Sequence, residues 1–342
     1  MIKIAVLCPS EIAFRRFMPA LTKIKEIEFV GIGHASEEEW FGCVSKEHNL
    51  DVLQSDLDKA KQFVGVYGGI VFNSFESVFN SKDVDAIYIP LPPGLHFKWA
   101  KRALECGKHV LVEKPSTTCF EHTKDLVDLA RVQNLAIHEN YMFAFHSQLY
   151  TIKKLLDEKT IGDIRLYRIS FGFPFRGAND FRYNKKLGGG ALLDCGGYTI
   201  KLANMLLGQS AKLVAHQLNY KNDFEVDIYG SGTMVNDEGQ VAQISFGMDN
   251  SYKCDLEVWG SNGTLFTGRV LTAPEGFRPV IQIKTPTETI EKELEPDDSF
   301  KKSIQYFLDC ISDHSKREES YNNLLTQSKL VDGFKGAVNN GR

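Results

Sequence analysis

Through the first 140 residues, apolar runs of strand length recur: "IAVL", "FVGIG", "GIVF", "AIYIPL", "HVLVE" and "LAIHE". Amphipathic helical patterns such as "WAKRALECG" and "HTKDLVDLARVQN" lie between most of them. Near-continuous apolar strands separated by helices indicate a parallel sheet covered on both faces. Residues 1–138 therefore read as a doubly wound α/β domain of the Rossmann kind, with six strands. The pattern then changes. After a helix near 147–158 come "RLYRISFGF", "KLVAHQLNY", "VDIYGSGTMV", "QVAQISFGM", "CDLEVWG", "GTLFTGRV" and "VIQIKT", which alternate apolar and polar positions. Turn signals such as Ser261-Asn262-Gly263 separate them. This is the pattern of an open, largely antiparallel sheet with one covered face. Helices at about 191–207 and 299–312 complete an α+β domain over 139–342, the expected substrate-binding and oligomerisation domain.

Composition narrows the class. The 342 residues are 43% hydrophobic and 25% charged with net charge −4, which is ordinary for a globular protein. No Lys/Arg-rich run marks a nucleic-acid or membrane surface. No apolar window approaches a membrane span, and Met1-Ile2-Lys3 leads directly into a strand rather than a signal peptide. Cysteines at 8, 43, 106, 119, 195, 254 and 310 form no C-x-x-C, so reduced thiols and a cytoplasmic location are expected. Histidine and cysteine spacing indicates no metal site.

The first strand leads into "CPSEIAFRR". In a dinucleotide-binding turn, glycines permit the tight bend, the approach to the pyrophosphate and close helix packing. Cys8, Ser10 and Ala13 hold those positions here; all are small and none is glycine. Pro9 removes a donor, the helix start still offers free N–H groups, and Arg15 and Arg16 add charge. An ordinary strand-helix turn is the competing reading. In "VGIGHAS", Gly31-x-Gly33 is followed by Glu37, Glu38 and Glu39, which would repel a pyrophosphate. The segment reads instead as the strand end that meets the adenosine ribose. His34, Ala35 and Ser36 offer no carboxylate there to select NAD.

A stronger signal is "GKHVLVEKPST". Glu113 and Lys114 end a strand at the carboxyl edge, where open α/β sheets bind ligands. Pro115 keeps Lys114 out of helical geometry and its ammonium over the crevice. In "LGGGALLDCGGYTIKLANMLLG", Gly188-Gly189-Gly190 gives a flexible entry to a helix on which Asp194 and Tyr198 share a face. Gly196 and Gly197 each cost ~1 kcal/mol in a helix interior. Either a cleared face for a nicotinamide or sugar, or close packing, would offset that.

Together these segments resemble the Gfo/Idh/MocA oxidoreductases over nearly the whole chain, and most of all the nucleotide-sugar 3-ketoreductases. Their first turn typically reads G-C-A-x-I-A-W-R-R-x-x-P-A, beside "CPSEIAFRRFMPA" here. The similarity extends through "IPLPPGLHFKWAKRALECGKHVLVEKP", "ENYMF", "DEKTIGDIR", "DFRYN", "GGGALLDCGGYTIKLANMLLG" and "ISFGMDNSYKCDLEVWGSNGTLFTGRVLTAP". Cys8-Pro9, and Ala35 where NADP-preferring relatives often carry arginine, depart from the pattern.

The resemblance implies an NAD(P)H-dependent reductase of a C3 keto group on a nucleotide-linked hexose, with NADP(H) slightly favoured and NAD(H) possible. Its cofactor-binding residues would be Cys8, Ser10, Glu11, Ile12, Arg15, Ser36, Leu91, Pro92, His96, Glu113, Lys114 and Arg182. His96 is placed in the loop after the fourth strand, and Arg182 contacts cofactor or substrate. Tyr198 would donate the proton, helped by Lys114, with Asp194 orienting Lys114 or a substrate hydroxyl. A free-sugar or trans-dihydrodiol dehydrogenase is the enzymatic alternative. A non-catalytic NAD(P)-binding sensor is a third reading, prompted by the glycine-poor turn. The expected assembly is a homodimer or homotetramer.

Overall fold

The structure is a computed structural model and describes residues 1–45 and 48–336; 337–342, within the range expected for the second domain, lie outside the described residues. Strand β1 (Ile2–Val6) feeds a helix that opens with a π-helical turn, Ala13–Phe17, and ends as α1 (Met18–Leu21). Then follow β2 (Ile27–Gly33), α2 (Glu37–Phe41), α3 (Asp51–Tyr67), β3 (Ile70–Phe72), α4 (Phe75–Phe79) and β4 (Ala86–Ile89). α5 (Pro93–Glu105), β5 (His109–Val112), α6 (Phe120–Gln133) and β6 (Ile137–Glu139) complete the series. The six strands are parallel in the order β3-β2-β1-β4-β5-β6, so the strand order reverses between β1 and β4. That reversal leaves a crevice at the carboxyl ends of β1 and β4, where doubly wound sheets bind ligands. Each expected apolar run is one of these strands. Their side chains bury a core from Ala5, Leu7, Ile87, Ile89, Val110 and Val112.

The second sheet is largely antiparallel, as the alternating runs indicated, with one parallel pair. α7 (Ser147–Asp157) precedes β7 (Ile164–Gly172). A π-helical turn, Leu192–Gly196, opens α8 (Gly197–Leu207). β8 (Lys212–Tyr220), β9 (Asp227–Val235), β10 (Val241–Gly247), β11 (Lys253–Gly260), β12 (Gly263–Gly268), β13 (Val280–Lys284) and β14 (Thr289–Glu293) follow. The order is β14-β13-β12-β11-β7-β10-β9-β8, antiparallel except for β7 beside β10. One face packs on α8 through residues such as Ile169, Ile244 and Leu256. The other exposes Tyr229, Trp259, Phe266 and Val280. α9 (Ser299–Ser312) and α10 (His314–Gly333) close the chain.

The chain forms two compact units. The first is Met1–Thr117, Glu121–Asn140 and Ser303–Leu325; the second is Thr118–Phe120, Tyr141–Lys302 and the chain from Thr326. The sequence pattern had placed all the C-terminal helices with the second sheet. Ser303–Leu325 goes with the first because its polar groups complete backbone left open beside β6. Ser320 donates to the Ile137 carbonyl (2.8 Å), Tyr321 donates to that of Leu135, and Arg317 Nη1 donates to that of Asn134 (2.9 Å).

Candidate active site

The first turn is built without glycine by assigning each polar group a local partner. The Ser10 hydroxyl accepts from the Ala13 N–H (3.2 Å), capping the helix start, and the Cys8 thiol faces the Pro90 carbonyl at 3.7 Å. Burial pushes that thiol's pKa up. Glu11 and Arg15 form an ion pair at the surface. Pro19 has no N–H to give the preceding turn, and the π register directs the Met18 N–H to Ala13. The Phe14 carbonyl left over accepts instead from the Tyr67 hydroxyl at 2.7 Å. Both π-helical turns among the described residues fall on elements singled out for chemistry, a placement common for π-bulges.

The end of β2 is shaped by packing. A side chain on Gly31 would strike the Ile70 carbonyl at 2.4 Å, and one on Gly33 would meet the Leu7 carbonyl at 2.9 Å. These glycines serve strand packing. Ser36 caps α2 in a reciprocal box with Glu39. Glu39 also accepts from the Phe75 and Glu76 N–H groups, both at 2.9 Å. Glu37 accepts from the Ser45 N–H at 2.9 Å and pairs with His48 at 3.0 Å. These two carboxylates are thereby held on the protein's own donors rather than facing a phosphate.

Lys114 rests on a buried polar mount. Glu113 accepts from the Tyr88 hydroxyl and from Asn140 Nδ2, both at 2.6 Å. Burial raises the Glu113 pKa, with those two donors and the Lys114 charge opposing. Asn140 is fixed in turn by Ser303 (2.8 Å), whose hydroxyl lies 3.0 Å from His138 Nε2. The Lys114–Pro115 bond is cis. Glu113 thus positions Lys114 through donors that come from inside the fold. His96 lies in the first turn of α5 rather than in a loop, because Pro92-Pro93 starts the helix early. It is fully buried, with Nε2 2.6 Å from the Leu91 carbonyl and Nδ1 2.8 Å from that of Pro115. The ring ties the end of β4 to the residue after Lys114.

Two carbonyls favour protonation of both ring nitrogens, but burial outweighs them, with the Lys114 charge assisting, and the His96 pKa falls to about 4. Between the unfolded value of ~6.5 and about 4, the unfolded chain binds a proton that the native ring refuses. Stability from this group is therefore complete above that window and lost as pH falls through it, by ~3 kcal/mol at most. Asp227, raised to about 6 by burial, runs the other way over much of the same range. The measurement is therefore a difference: urea unfolding of wild type against His96→Asn from pH 7 to 4. The wild type should lose stability faster on acidification, and parallel curves would refute the assignment.

In the second unit, Tyr198 is buried edge-on against Tyr141 (5.2 Å, 90°) and Phe171 (5.3 Å, 78°), with Phe143 tilted beside it (5.7 Å). Such packing fixes the ring. Gly196 and Gly197 are explained by packing, the second of the two readings: side chains there would meet the Phe246 ring at 3.1 Å and the Tyr141 hydroxyl at 2.1 Å. The Gly188–Gly190 entry is tightly bonded, with the Gly190 N–H on the Arg182 carbonyl (2.9 Å). Gly189 lies against the same carbonyl, 2.3 Å from where a Cβ would stand. Arg182 Nε donates to Asp194 at 2.6 Å and Nη1 to Asp180 at 3.2 Å. Asp194 and Tyr198 stand four residues apart on this helix, Asp194 in its opening π turn and Tyr198 in the first turn of α8.

The structure therefore gathers Cys8, Leu91, His96, Glu113 and Lys114 around the carboxyl ends of β1, β4 and β5, and joins Arg182 to Asp194 beside Tyr198's helix. Sequence reasoning missed Asn140, although "ENYMF" contains it, and Asp56. Asp56 lies one and two turns before the buried Ala60 and Phe63, a carboxylate in line with an apolar stripe. Among the described residues no cluster of three or more His, Cys, Asp or Glu could hold a metal, and no helix is long and apolar enough to cross a membrane. An ammonium on a rigid mount and a caged phenol are groups that stabilise and protonate a developing alkoxide.

Comparison with known proteins gives the setting. The model of an oxidoreductase family with an NAD-binding Rossmann fold matches residues 25–141, and that of the GFO/IDH/MocA C-terminal domain matches 149–266. A dTDP-3,4-didehydro-2,6-dideoxy-alpha-D-glucose 3-reductase of Actinomadura kijaniata is 34% identical, covering 98% of this chain and 95% of the relative. The enzyme of the same name from Streptomyces violaceoruber is 33% identical over the same shares. The crystal structure of a 3-ketoreductase from Actinomadura kijaniata with NADP and TDP-benzene superposes with a TM-score of 0.87 at 34% identity, covering 98% of this chain and 97% of that one.

Proposed function

The chain belongs to the Gfo/Idh/MocA oxidoreductases, and from that premise we propose that it is a nucleotide-sugar ketoreductase, taking NADPH in preference to NADH and reducing a C3 keto group on a dTDP-linked deoxyhexose. The observation that carries the reading is Lys114 at the end of β5, seated on Glu113 and Asn140. Near-full-length similarity to dTDP-sugar 3-reductases supports the substrate class.

The first turn suits a dinucleotide: small residues at Cys8, Ser10 and Ala13, a helix start beyond them, and a buried, unpartnered carboxylate oxygen on Asp56 near Cys8. Cys8, Ser10, Glu11, Ile12 and Arg15 would hold the pyrophosphate half. Ser36 would line the ribose, and Leu91, Pro92 and His96 would back the nicotinamide. When bound, that ring supplies hydride to the substrate carbonyl carbon. Tyr198 gives the carbonyl oxygen its proton, so that C=O becomes CH–OH. The Lys114 ammonium stabilises the negative charge on that oxygen and then on the tyrosinate. Asp194, held by Arg182, orients a substrate hydroxyl.

The second sheet supplies the substrate domain, and its exposed Tyr229, Trp259 and Phe266 support association into a homodimer or homotetramer. Seven cysteines without a disulfide among the described residues support a cytoplasmic setting. A screen of dTDP-linked keto-deoxyhexoses and free sugars, each with NADPH or NADH, tests the proposal by oxidation of the reduced cofactor. Turnover should require the nucleotide. Turnover of free sugars alone would place the enzyme among sugar dehydrogenases, and binding of neither cofactor would end the oxidoreductase reading.

A further inference from the structure

The carboxylate absent from positions 34–36 is supplied in space by α3. Asp56 accepts from the Ala35 backbone N–H, two residues beyond β2, and its charge is felt by both His34 and the Cys8 thiol. It therefore stands between the ends of β1 and β2, where this fold carries the adenosine half of a dinucleotide. Two buried polar atoms there lack partners: Asp56 Oδ2 and His34 Nδ1. Neither satisfies the other. Asp56 also interrupts the buried stripe of α3, in line with Ala60 and Phe63, where an apolar residue would pack without penalty. Burial raises its pKa, the mark of a charge placed at a cost to folding. A vicinal diol answers both orphans, one hydroxyl donating to Asp56 Oδ2 and its neighbour meeting His34.

Resting on the oxidoreductase reading above, we propose that Asp56 is the cofactor-specificity residue of this enzyme: it accepts the 2′-hydroxyl of the adenosine ribose, keeps NADH in use, and limits the margin by which the 2′-phosphate of NADPH is favoured. Glu37 and Glu39, next along the chain, are occupied with their own backbone donors and do not take this part. Asp56→Asn retains an acceptor for the Ala35 N–H while removing the charge.

Fluorescence titration of the whole protein with NADH and NADPH, without sugar, reads the effect. The variant should bind NADH about 10-fold or more weakly while NADPH holds or improves, moving the affinity ratio toward NADPH by at least that factor. A second measurement needs no variant: wild type should bind 2′-deoxy-NADH about 10-fold less tightly than NADH. An unchanged ratio, or equal binding of the deoxy analogue, overturns the assignment while leaving the enzyme reading intact. Binding of neither cofactor overturns both.

Discussion

Lys114→Ala is expected to lower kcat/KM for ketone reduction by at least ~10³-fold while leaving the fold intact. The residue is half-buried at the end of β5, and its backbone is fixed independently, through Glu113 held from Tyr88 and Asn140. Truncation removes the ammonium and leaves the mount. One donor aimed at developing oxyanion charge is typically worth ~10²–10³ in turnover. Lys114 is assigned two such tasks, because it also favours the tyrosinate left after proton transfer, hence the larger figure. Single-turnover oxidation of bound NADPH separates the chemical step from binding. Lys114→Arg restores charge without the compact ammonium and should recover only part of the loss. Wild-type turnover in the alanine variant would remove Lys114 from the chemistry.

The sheet strands were legible because each is an apolar run between helices or an alternating run between turns. β14 was not: every residue of "TIEKE" is exposed on an edge, so no periodicity marks it. α10, polar along much of its length, hides Tyr321 and Leu324 among charged neighbours. Site legibility divides in a similar way. Lys114 and Tyr198 stand at a strand end and on a helix, where local pattern is informative. What supports them is not local: Asn140 and Ser303 meet from 163 residues apart. The Gly31-x-Gly33 pair shows the reverse case, a motif with binding spelling whose glycines answer to the carbonyls of β3 and the segment after β1. Gly196 and Gly197 likewise answer to Phe246 and Tyr141. Asp56 was invisible because only folding brings a helix carboxylate to the Ala35 N–H.

Tyr198→Phe should cut kcat by ~10²–10⁴-fold with cofactor affinity nearly unchanged. The substitution deletes one oxygen. The ring keeps its edge-on contacts with Tyr141 and Phe171, and Gly196 and Gly197 keep theirs with Phe246 and Tyr141, so α8 has no reason to move. What is lost is a proton source at a fixed place. Hydride transfer to a ketone leaves an alkoxide, and without a donor that charge must wait for water to reach a site whose tyrosine is only 8% exposed. A phenol titrates near ~10 unaided, so the Lys114 charge should make donation easier. The two substitutions then act on one proton transfer, and the double variant should be hardly slower than the worse single one. Additive losses would mean that the residues serve separate steps. Near-normal turnover in Tyr198→Phe, with dTDP-sugar and NADPH binding verified, would mean that another group supplies the proton, with Lys114 the first to test.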